Sequence, residues 1–210
     1  MGRDLDSFKR YGPKFKAQPR VLVICEDKKS AKDYFEEAAR HFRALADVEF
    51  DHCGRTDPRG IVENAIRRSA KYDQVICIID RDTHDLSNFN DALQLEQADA
   101  KVTAYVSYPC FEFWLLLHFG FNRKPFAAAG ARSPGDRAVE ALRGKDGMSK
   151  YAKGSIKGVF AQLLPRLPDA MTHAERTLIS AREEGDMDPS TPLHKLILLL
   201  VQLGKPIPLE

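Results

Sequence analysis

The stretch Gln74-Val75-Ile76-Cys77-Ile78-Ile79-Asp80-Arg81-Asp82 decides the fold, because a short β-branched apolar run leads directly into two carboxylates. A second run of this kind, residues 21–25, leads into Glu26. Short apolar runs that end in charged residues are typical of buried parallel strands. In a parallel sheet the functional crevice lies outside the carboxyl ends of the strands. Glu26, Asp80 and Asp82 are therefore predicted to converge at one edge of a sheet.

Carboxylates gathered at the edge of a sheet predict a cation site. Several of them cannot stay ionised side by side without a counter-charge, and a hard cation such as Mg²⁺ supplies it. Residues i and i+2 of an extended backbone point the same way, so Asp80 and Asp82 can share one ion. We interpret Glu26, Asp80 and Asp82 as the ligands of a metal-dependent phosphoryl-transfer site. Its expected cofactor is Mg²⁺, with Mn²⁺ as the alternative.

Alternating strand and helix patterns predict an α/β fold. Strands are expected at 21–25, 47–52, 74–79 and 101–106. Helices are expected between them at 31–45, 58–71 and 86–98, with Ser30 as the cap of the first and Asp57 as the cap of the second. This order implies a parallel, Rossmann-like sheet with helices on both faces.

Strand patterns vanish after Gly120, and the rest of the chain is predicted to be mostly helical. Further helices are expected at 134–143, 155–165, 169–184 and 192–203. We therefore divide the chain into a loosely ordered arm at 1–19, a catalytic core at 20–120 and a helical extension at 121–210 that packs on the core.

Length and composition are ordinary for a soluble globular protein. The 210 residues, of which 43% are hydrophobic, suffice for one large domain or a domain with an appendage. No apolar run approaches the roughly 18–20 residues that cross a bilayer, and residues 1–20 lack the apolar core of a signal peptide. The cysteines show no CxxC spacing, which argues against a zinc site or a disulfide. We expect a cytoplasmic protein with reduced thiols and no membrane association.

The net charge of +2 conceals an uneven distribution of charge along the chain. Acidic residues dominate 73–100, whereas basic residues dominate 123–158. An acidic strip beside a basic one suits a metal site flanked by surfaces that contact phosphate. Solvated faces on either side of a core would produce the same distribution.

Glu112 is the one charged residue within residues 108–117, an apolar segment that is predicted to form a buried helix. Burying an unpaired carboxylate is very costly. Glu112 is therefore expected either to pair with a buried base or to turn toward the cation site as a fourth acid. His84, two residues beyond the aspartate pair, is interpreted as a helix cap or loop residue rather than a base.

Basic residues near the predicted site are candidates to contact phosphates. Lys28 and Lys29 follow Glu26 in a loop that opens a helix, whose N-terminus favours anions. Arg55 lies in the next loop of this kind. In the C-terminal part, Lys150-Tyr151-Ala152-Lys153 together with Lys157 forms a basic stretch with an aromatic residue, as nucleic-acid-binding surfaces do. The alternative is a solvated loop anchored by one tyrosine.

Several segments together resemble the RloB family of Toprim-like proteins. A glutamate after the first strand and an Asp-x-Asp pair after the third resemble the Toprim domain of topoisomerases, primases and old-type nucleases. The more specific text lies in residues 23–29, 79–84, 107–119 and 188–196. Tyr151-Ala152-Lys153 matches a further short family mark. The resemblance spans about residues 20–200.

The RloB resemblance implies a role for each acid. Glu26 would be the general acid/base, Asp80 and Asp82 the Mg²⁺ ligands, and Glu112 a fourth acid of the catalytic set. RloB proteins are associated with restriction-modification and phage-defence loci, often beside an ATPase. The implied partners are therefore nucleic acid and an ATPase.

The chain departs from the usual family pattern at a few positions. Asp27 stands where the family usually has Gly, Ser30-Ala31 where it has Thr-Glu, and Tyr108 where it has Asn. The bulk of Asp27 is expected to alter how closely a phosphate approaches. The missing acid at Ala31 is expected to lower metal affinity.

The function expected from the sequence is a Mg²⁺-dependent nuclease of prokaryotic phage defence. One alternative is a non-catalytic module that binds nucleic acid or a partner and keeps the acids for structure. A second is nucleotidyl transfer of the primase type. The sequence leaves open whether the substrate is DNA or RNA and which oligomer the chain forms.

Overall fold

The computed structural model describes residues 15–82, 84–128, 130–154 and 157–208. Its strands are β1 (Phe15–Lys16), β2 (Val21–Cys25), β3 (Val48–Asp51), β4 (Gln74–Asp80), β5 (Val102–Ser107) and β6 (Ile207–Pro208). Four of them form a parallel sheet in the order β3-β2-β4-β5, and β1 pairs with β6 in a separate antiparallel ribbon. The predicted parallel sheet is confirmed.

Helices cover both faces of this sheet and make up most of the C-terminal part. They are α1 (Ser30–His41), α2 (Pro58–Arg68), α3 (Leu86–Glu96), α4 (Phe111–Leu116), α5 (Pro134–Arg143), α6 (Val159–Leu163), α7 (Leu167–Glu184) and α8 (His194–Leu203). Short 3-10 turns follow α2, α4 and α6, at Ser69–Lys71, Leu117–Phe119 and Leu164–Arg166. Among the described residues, no helix combines the length and apolar character needed to cross a membrane.

The side chains of the strands alternate between two apolar clusters. Val21, Val23 and Cys25 face one cluster, which contains α1, α4 and the helices of the C-terminal part. Leu22 and Ile24 face the other, which α2 and α3 close. Because both faces are covered, the central strands β2 and β4 are buried along most of their length, as their continuous apolar sequences indicated. The outer strands β3 and β5 are partly exposed.

Side-chain caps begin α2, α3 and α5 among the described helices. Asp57 caps α2 as predicted, since its side chain accepts a hydrogen bond from the backbone N–H of Gly60. Ser30 does not cap α1, and that prediction is wrong. Lys29 holds the cap position without a side-chain hydrogen bond, and the Ser30 hydroxyl oxygen accepts instead from the backbone N–H of Gly154, 3.1 Å away. A tertiary contact thus replaces the expected local one.

The two ends of the described chain pair with each other in a short antiparallel ribbon. Residues 1–14 of the predicted arm lie outside the described residues. Phe15–Lys16, at the end of that arm, pairs with Ile207–Pro208, so the C-terminal part contains one short strand that its sequence did not indicate. The domain boundaries at 19/20 and 120/121 stay a prediction.

The register of the sheet brings the functional segments to one edge. Cys25, the last residue of β2, lies beside Ile78, and Asp80, the last residue of β4, lies beside Ser107. Residues that follow these strands therefore leave the sheet at the same edge. An isolated antiparallel bridge between Tyr108 and Ser190 ties the chain after β5 to the segment before α8.

Candidate active site

Glu26 lies between the carboxyl ends of β2 and β4. Its Oε2 accepts a hydrogen bond from the backbone N–H of Asp80 at 2.9 Å, and its Oε1 lies 2.8 Å from His84 Nε2. The hydrogen bond to Glu26 raises the pKa of His84, although partial burial opposes the charged form. The sequence did not indicate this carboxylate–imidazole pair, because Glu26 and His84 are 58 residues apart in the chain. His84 was interpreted only as a helix cap or loop residue.

Asp80 lies at the centre of the acidic group. Its Oδ1 accepts from the backbone N–H of Phe111 at 2.9 Å, which fixes the carboxylate against the start of α4. Burial raises the pKa of Asp80 well above its usual range, and repulsion from Glu26 and Glu112 raises it further. A cation bound beside this carboxyl group would lower its pKa again, because the positive charge stabilises the ionised form.

Glu112 turns toward Asp80, as one of its two sequence interpretations required. Ligand atoms of Asp80, Cys110 and Glu112 all lie within 4.8 Å of one another, the spacing of a possible metal site. Glu112 is only 1% exposed, accepts a hydrogen bond from the Tyr151 hydroxyl at 2.9 Å, and lies 3.8 Å from the Lys153 ammonium. The other interpretation, a buried basic partner, is therefore partly met by Lys153.

Asp82 lies beside this group and contacts the N-terminus of α5. Its Oδ2 accepts a hydrogen bond from the Ser133 hydroxyl at 2.9 Å. Its Oδ1 is buried and, among the described residues, has no hydrogen-bond partner. A buried carboxylate oxygen without a donor is costly, so this atom suits contact with a cation or a water molecule. Asp82 and Glu26 are not members of the close Asp80–Cys110–Glu112 group.

The departures from the family pattern lie around the same edge. Asp27 is half-buried, and burial raises its pKa, with a smaller contribution from Glu112. Ala31 is buried in α1, and the Tyr108 ring makes an edge contact with Phe89, with ring centroids 6.3 Å apart. Asp27 therefore adds negative charge close to Glu112, whereas Ala31 supplies none.

Most of the predicted phosphate-contacting residues are exposed. These residues are Lys28, Lys29, Arg55, Lys150 and Lys157. Arg55 is already paired with Asp57, since its Nε lies 2.9 Å from Asp57 Oδ2. The other exposed lysines are free of any ion pair found among the described residues.

Tyr151 matches the alternative that the sequence left open, a loop anchored by one tyrosine, rather than a basic surface whose aromatic residue contacts nucleic acid. Tyr151 is 5% exposed and its hydroxyl binds Glu112, so its ring is not available to stack on a base. The Lys153 side chain is 49% exposed, with its ammonium facing Glu112. The segment between α5 and α6 thus supplies a hydrogen bond and a positive charge to the acidic group.

The hydrogen bond from Tyr151 predicts a measurable stability effect. Tyr151→Phe leaves Glu112 Oε1 without its donor in a buried environment, so the free energy of unfolding should fall by about 1–3 kcal/mol. The matched control is Tyr105→Phe, because Tyr105 is half-buried and its hydroxyl forms no hydrogen bond found among the described residues. Urea denaturation of both variants checks the difference. Equal stabilities would show that the hydroxyl does not support Glu112.

A second effect on stability is expected at Gly135, because the backbone of this residue lies close to the Asp82 side chain. A Cβ atom at this position would lie 2.2 Å from Asp82 Oδ2. Gly135→Ala should displace that carboxylate and cost about 1 kcal/mol through the lost bond to Ser133. Gly144→Ala is the control at the C-cap of the same helix, where a Cβ atom would be 3.4 Å from the nearest atom, the carbonyl oxygen of Ala141. Thermal melting should separate the two, and equal melting temperatures would contradict the close contact.

Comparison with known proteins identifies a family. The family model described as RloB-like protein matches residues 21–200. That range contains all of the acids described above, as well as Cys110, His84 and Tyr151. No curated protein and no solved structure matches the chain.

Proposed function

This chain belongs to the RloB-like protein family, and from that membership we propose that it is a Mg²⁺-dependent nuclease of prokaryotic phage defence with a Toprim-like core. The main support for this proposal is the position of Asp80 and Glu112 at the carboxyl edge of the sheet, where their ligand atoms lie within 4.8 Å of each other. Glu26 accepts a hydrogen bond from the backbone N–H of Asp80 at the same edge. Acids in this arrangement are typical of sites that hold a cation for phosphoryl chemistry.

The residues present fit a hard divalent cation. Carboxylate oxygens are the ligands that Mg²⁺ and Mn²⁺ prefer, and the group offers those of Asp80 and Glu112. The unpartnered Oδ1 of Asp82 is a further buried oxygen, although Asp82 is not a member of the close group. A bound cation would neutralise the charge of these acids and of a phosphate that approaches them.

Glu26 and His84 suit the proton transfers of phosphodiester hydrolysis. Glu26 is about one-fifth exposed, so a water molecule or a leaving oxygen can reach it. His84 holds Oε1 of Glu26 at 2.8 Å and can share the proton that Glu26 gains. We assign Glu26 the role of general acid/base and His84 that of positioning it.

The proposal includes a cellular setting that follows from the family alone. We propose that the protein acts in the cytoplasm on DNA or RNA and that it works with an ATPase partner. The test is incubation of the purified chain with DNA and RNA, in Mg²⁺, Mn²⁺ or a chelator, with and without that partner. Cleavage that needs the metal and increases with the partner supports the proposal. Robust cleavage without the partner would show that the protein does not need an ATPase for activity.

One observation favours the non-catalytic alternative. Glu112 is already satisfied by Tyr151 and Lys153, and Asp80 accepts from Phe111, so these acids have partners without a cation. A module that keeps its acids for structure would show no response of its stability or fluorescence to Mg²⁺ or Mn²⁺. Trp114, the single tryptophan of the chain, lies on α4 two residues from Glu112 and reports such a response. The primase-type alternative predicts nucleotide incorporation, which the same mixtures reveal.

Nucleic-acid binding beside the acids predicts a change in salt dependence. Lys150 and Lys157 are exposed on the segment that reaches Glu112. The double replacement of both by Ala should weaken binding and lower the salt slope by about two units, since each phosphate contact contributes roughly one. Lys71→Ala, which lies just before β4 at the opposite edge of the sheet, should leave the slope unchanged. Fluorescence anisotropy across salt concentrations checks this, and an unaltered slope in the double variant would exclude these contacts.

A further inference from the structure

The close group at the sheet edge contains a sulfur atom as well as carboxylate oxygens. Cys110 Sγ lies within 4.8 Å of the ligand atoms of Asp80 and Glu112. We propose that this centre binds a thiophilic divalent cation of the Zn²⁺ class, with the Cys110 thiolate, Asp80 and Glu112 as its protein ligands. The inference rests on the proposed cation binding at this site and specifies which cation it holds most tightly.

The three donors are held in place before any metal arrives. Cys110 is fully buried at the cap position of α4, and Glu112 follows in the first turn of the same helix. Asp80 is joined to that turn by the hydrogen bond from the backbone N–H of Phe111, the residue between them. Ligands on one helix turn and one strand end need little rearrangement, which favours tight binding.

The number and type of donors match a reactive tetrahedral site. Two carboxylates and one thiolate provide three protein ligands, and a water molecule or a substrate oxygen would take the fourth position. A thiolate selects Zn²⁺ and similar borderline cations, whereas Mg²⁺ binds oxygen alone. The sulfur therefore gives this centre a preference that carboxylates alone would not have.

The charges of the group also balance around such an ion. Binding converts the Cys110 S–H to a thiolate as the sulfur–metal bond forms, and the released proton leaves to solvent. The thiolate and two carboxylates then carry three negative charges. The dication and the Lys153 ammonium, 3.8 Å from Glu112, offset them. A buried group that ends near neutrality avoids the large cost of an uncompensated charge.

The expected consequence is competition between cations. Zn²⁺ at this centre would occupy the carboxylates that we propose for Mg²⁺, so zinc should displace Mg²⁺ or Mn²⁺ from the same protein. The sequence did not indicate a zinc site, because it shows no CxxC spacing. The other proposed ligands of Cys110 are Glu112 on α4 and Asp80 at the end of β4, not a second cysteine.

Co²⁺ tests the proposal directly, because a thiolate bound to Co²⁺ gives a charge-transfer absorption that oxygen ligands do not. Titration of the metal-free full chain with Co²⁺ should produce this near-ultraviolet band and saturate at a single equivalent. Zn²⁺ should then abolish the band, and an excess of Mg²⁺ should not. Cys53→Ser should keep the band, because Cys53 is a half-buried thiol outside the group. Cys110→Ser should lose it and bind Zn²⁺ about tenfold more weakly or worse.

The wild-type titration shows whether the Cys110 thiolate binds the metal, even if Cys110→Ser fails to fold. A wild-type protein that binds Co²⁺ without a charge-transfer band overturns the inference, as does a band that persists in a folded Cys110→Ser protein. Metal-dependent cleavage without the band would remove only this inference and leave the proposed nuclease intact. The band without any cleavage would support the thiolate site and count against the nuclease.

Discussion

Asp80→Asn is expected to abolish the response of the protein to divalent cations while making the metal-free protein more stable. The change removes a carboxylate whose pKa is raised by burial and by Glu26 and Glu112, so it removes repulsion from the folded state. The amide oxygen of Asn can still accept from the backbone N–H of Phe111. We expect metal affinity to fall by about a hundredfold or more. The free energy of unfolding should rise by about 1 kcal/mol.

The pH dependence of stability gives this variant a second signature. The pKa of Asp80 is higher in the folded than in the unfolded chain, so the folded state holds its proton more tightly. Its contribution to stability is therefore fully present below the unfolded pKa of about 3.9 and is lost as the pH rises toward the folded pKa. Asp80→Asn should remove that loss and flatten the profile.

Thermal melting with and without Mn²⁺, repeated across pH, measures both signatures. Asp91→Asn is the matched control, since Asp91 is exposed on α3 and pairs only with Arg59 among the contacts found. That control should keep the Mn²⁺ response. An Asp80→Asn protein that is less stable than wild type and still stabilised by Mn²⁺ would contradict the account.

Glu26→Gln is expected to lower the rate of metal-dependent cleavage by about 10²–10⁴-fold with little change in stability. The Gln side chain can still accept from the backbone N–H of Asp80, which preserves the junction between β2 and β4. It cannot gain or release a proton, and it ends the charge-assisted contact with His84. The loss should therefore appear in the chemical step.

Single-turnover rates with saturating enzyme, together with melting temperatures, separate chemistry from folding for this variant. Glu63→Gln is the control, because Glu63 is exposed on α2 and contacts Arg59. The control should cleave at the wild-type rate. A Glu26→Gln protein that also cleaves at that rate would exclude Glu26 as the general acid/base.

The parallel sheet could be predicted because its central strands, β2 and β4, are buried on both faces. Such strands read as unbroken apolar runs, and residues 21–25 and 74–79 show them clearly. The cap of α2 followed from Asp57 and Pro58, whose effects are local. Ser30 failed as a cap because its hydroxyl binds Gly154, a residue more than a hundred positions away. Local rules cannot anticipate such a partner.

In the candidate site, too, the contacts that follow from the sheet could be predicted, whereas the contacts made by distant loops could not. The approach of Glu26 to Asp80 follows from neighbouring strand ends, and the unusual position of Glu112 follows from its isolation among apolar residues. The contacts of Cys110, His84 and Tyr151 depend on how loops fold back over the sheet edge, which no spacing in the sequence encodes. Tyr151 shows the difference most clearly: an anchoring tyrosine was one of the two interpretations of its sequence, but its partner Glu112 was not indicated.

Calorimetric titration of Mn²⁺ into wild type and Glu112→Gln determines whether Asp80 and Glu112 form a cation-binding centre. Gln can keep the hydrogen bond from Tyr151, so the variant should fold and differ mainly in charge. We expect saturable binding by wild type and an affinity about tenfold weaker or worse in Glu112→Gln. Absence of binding by wild type, or identical isotherms for the two proteins, would contradict it.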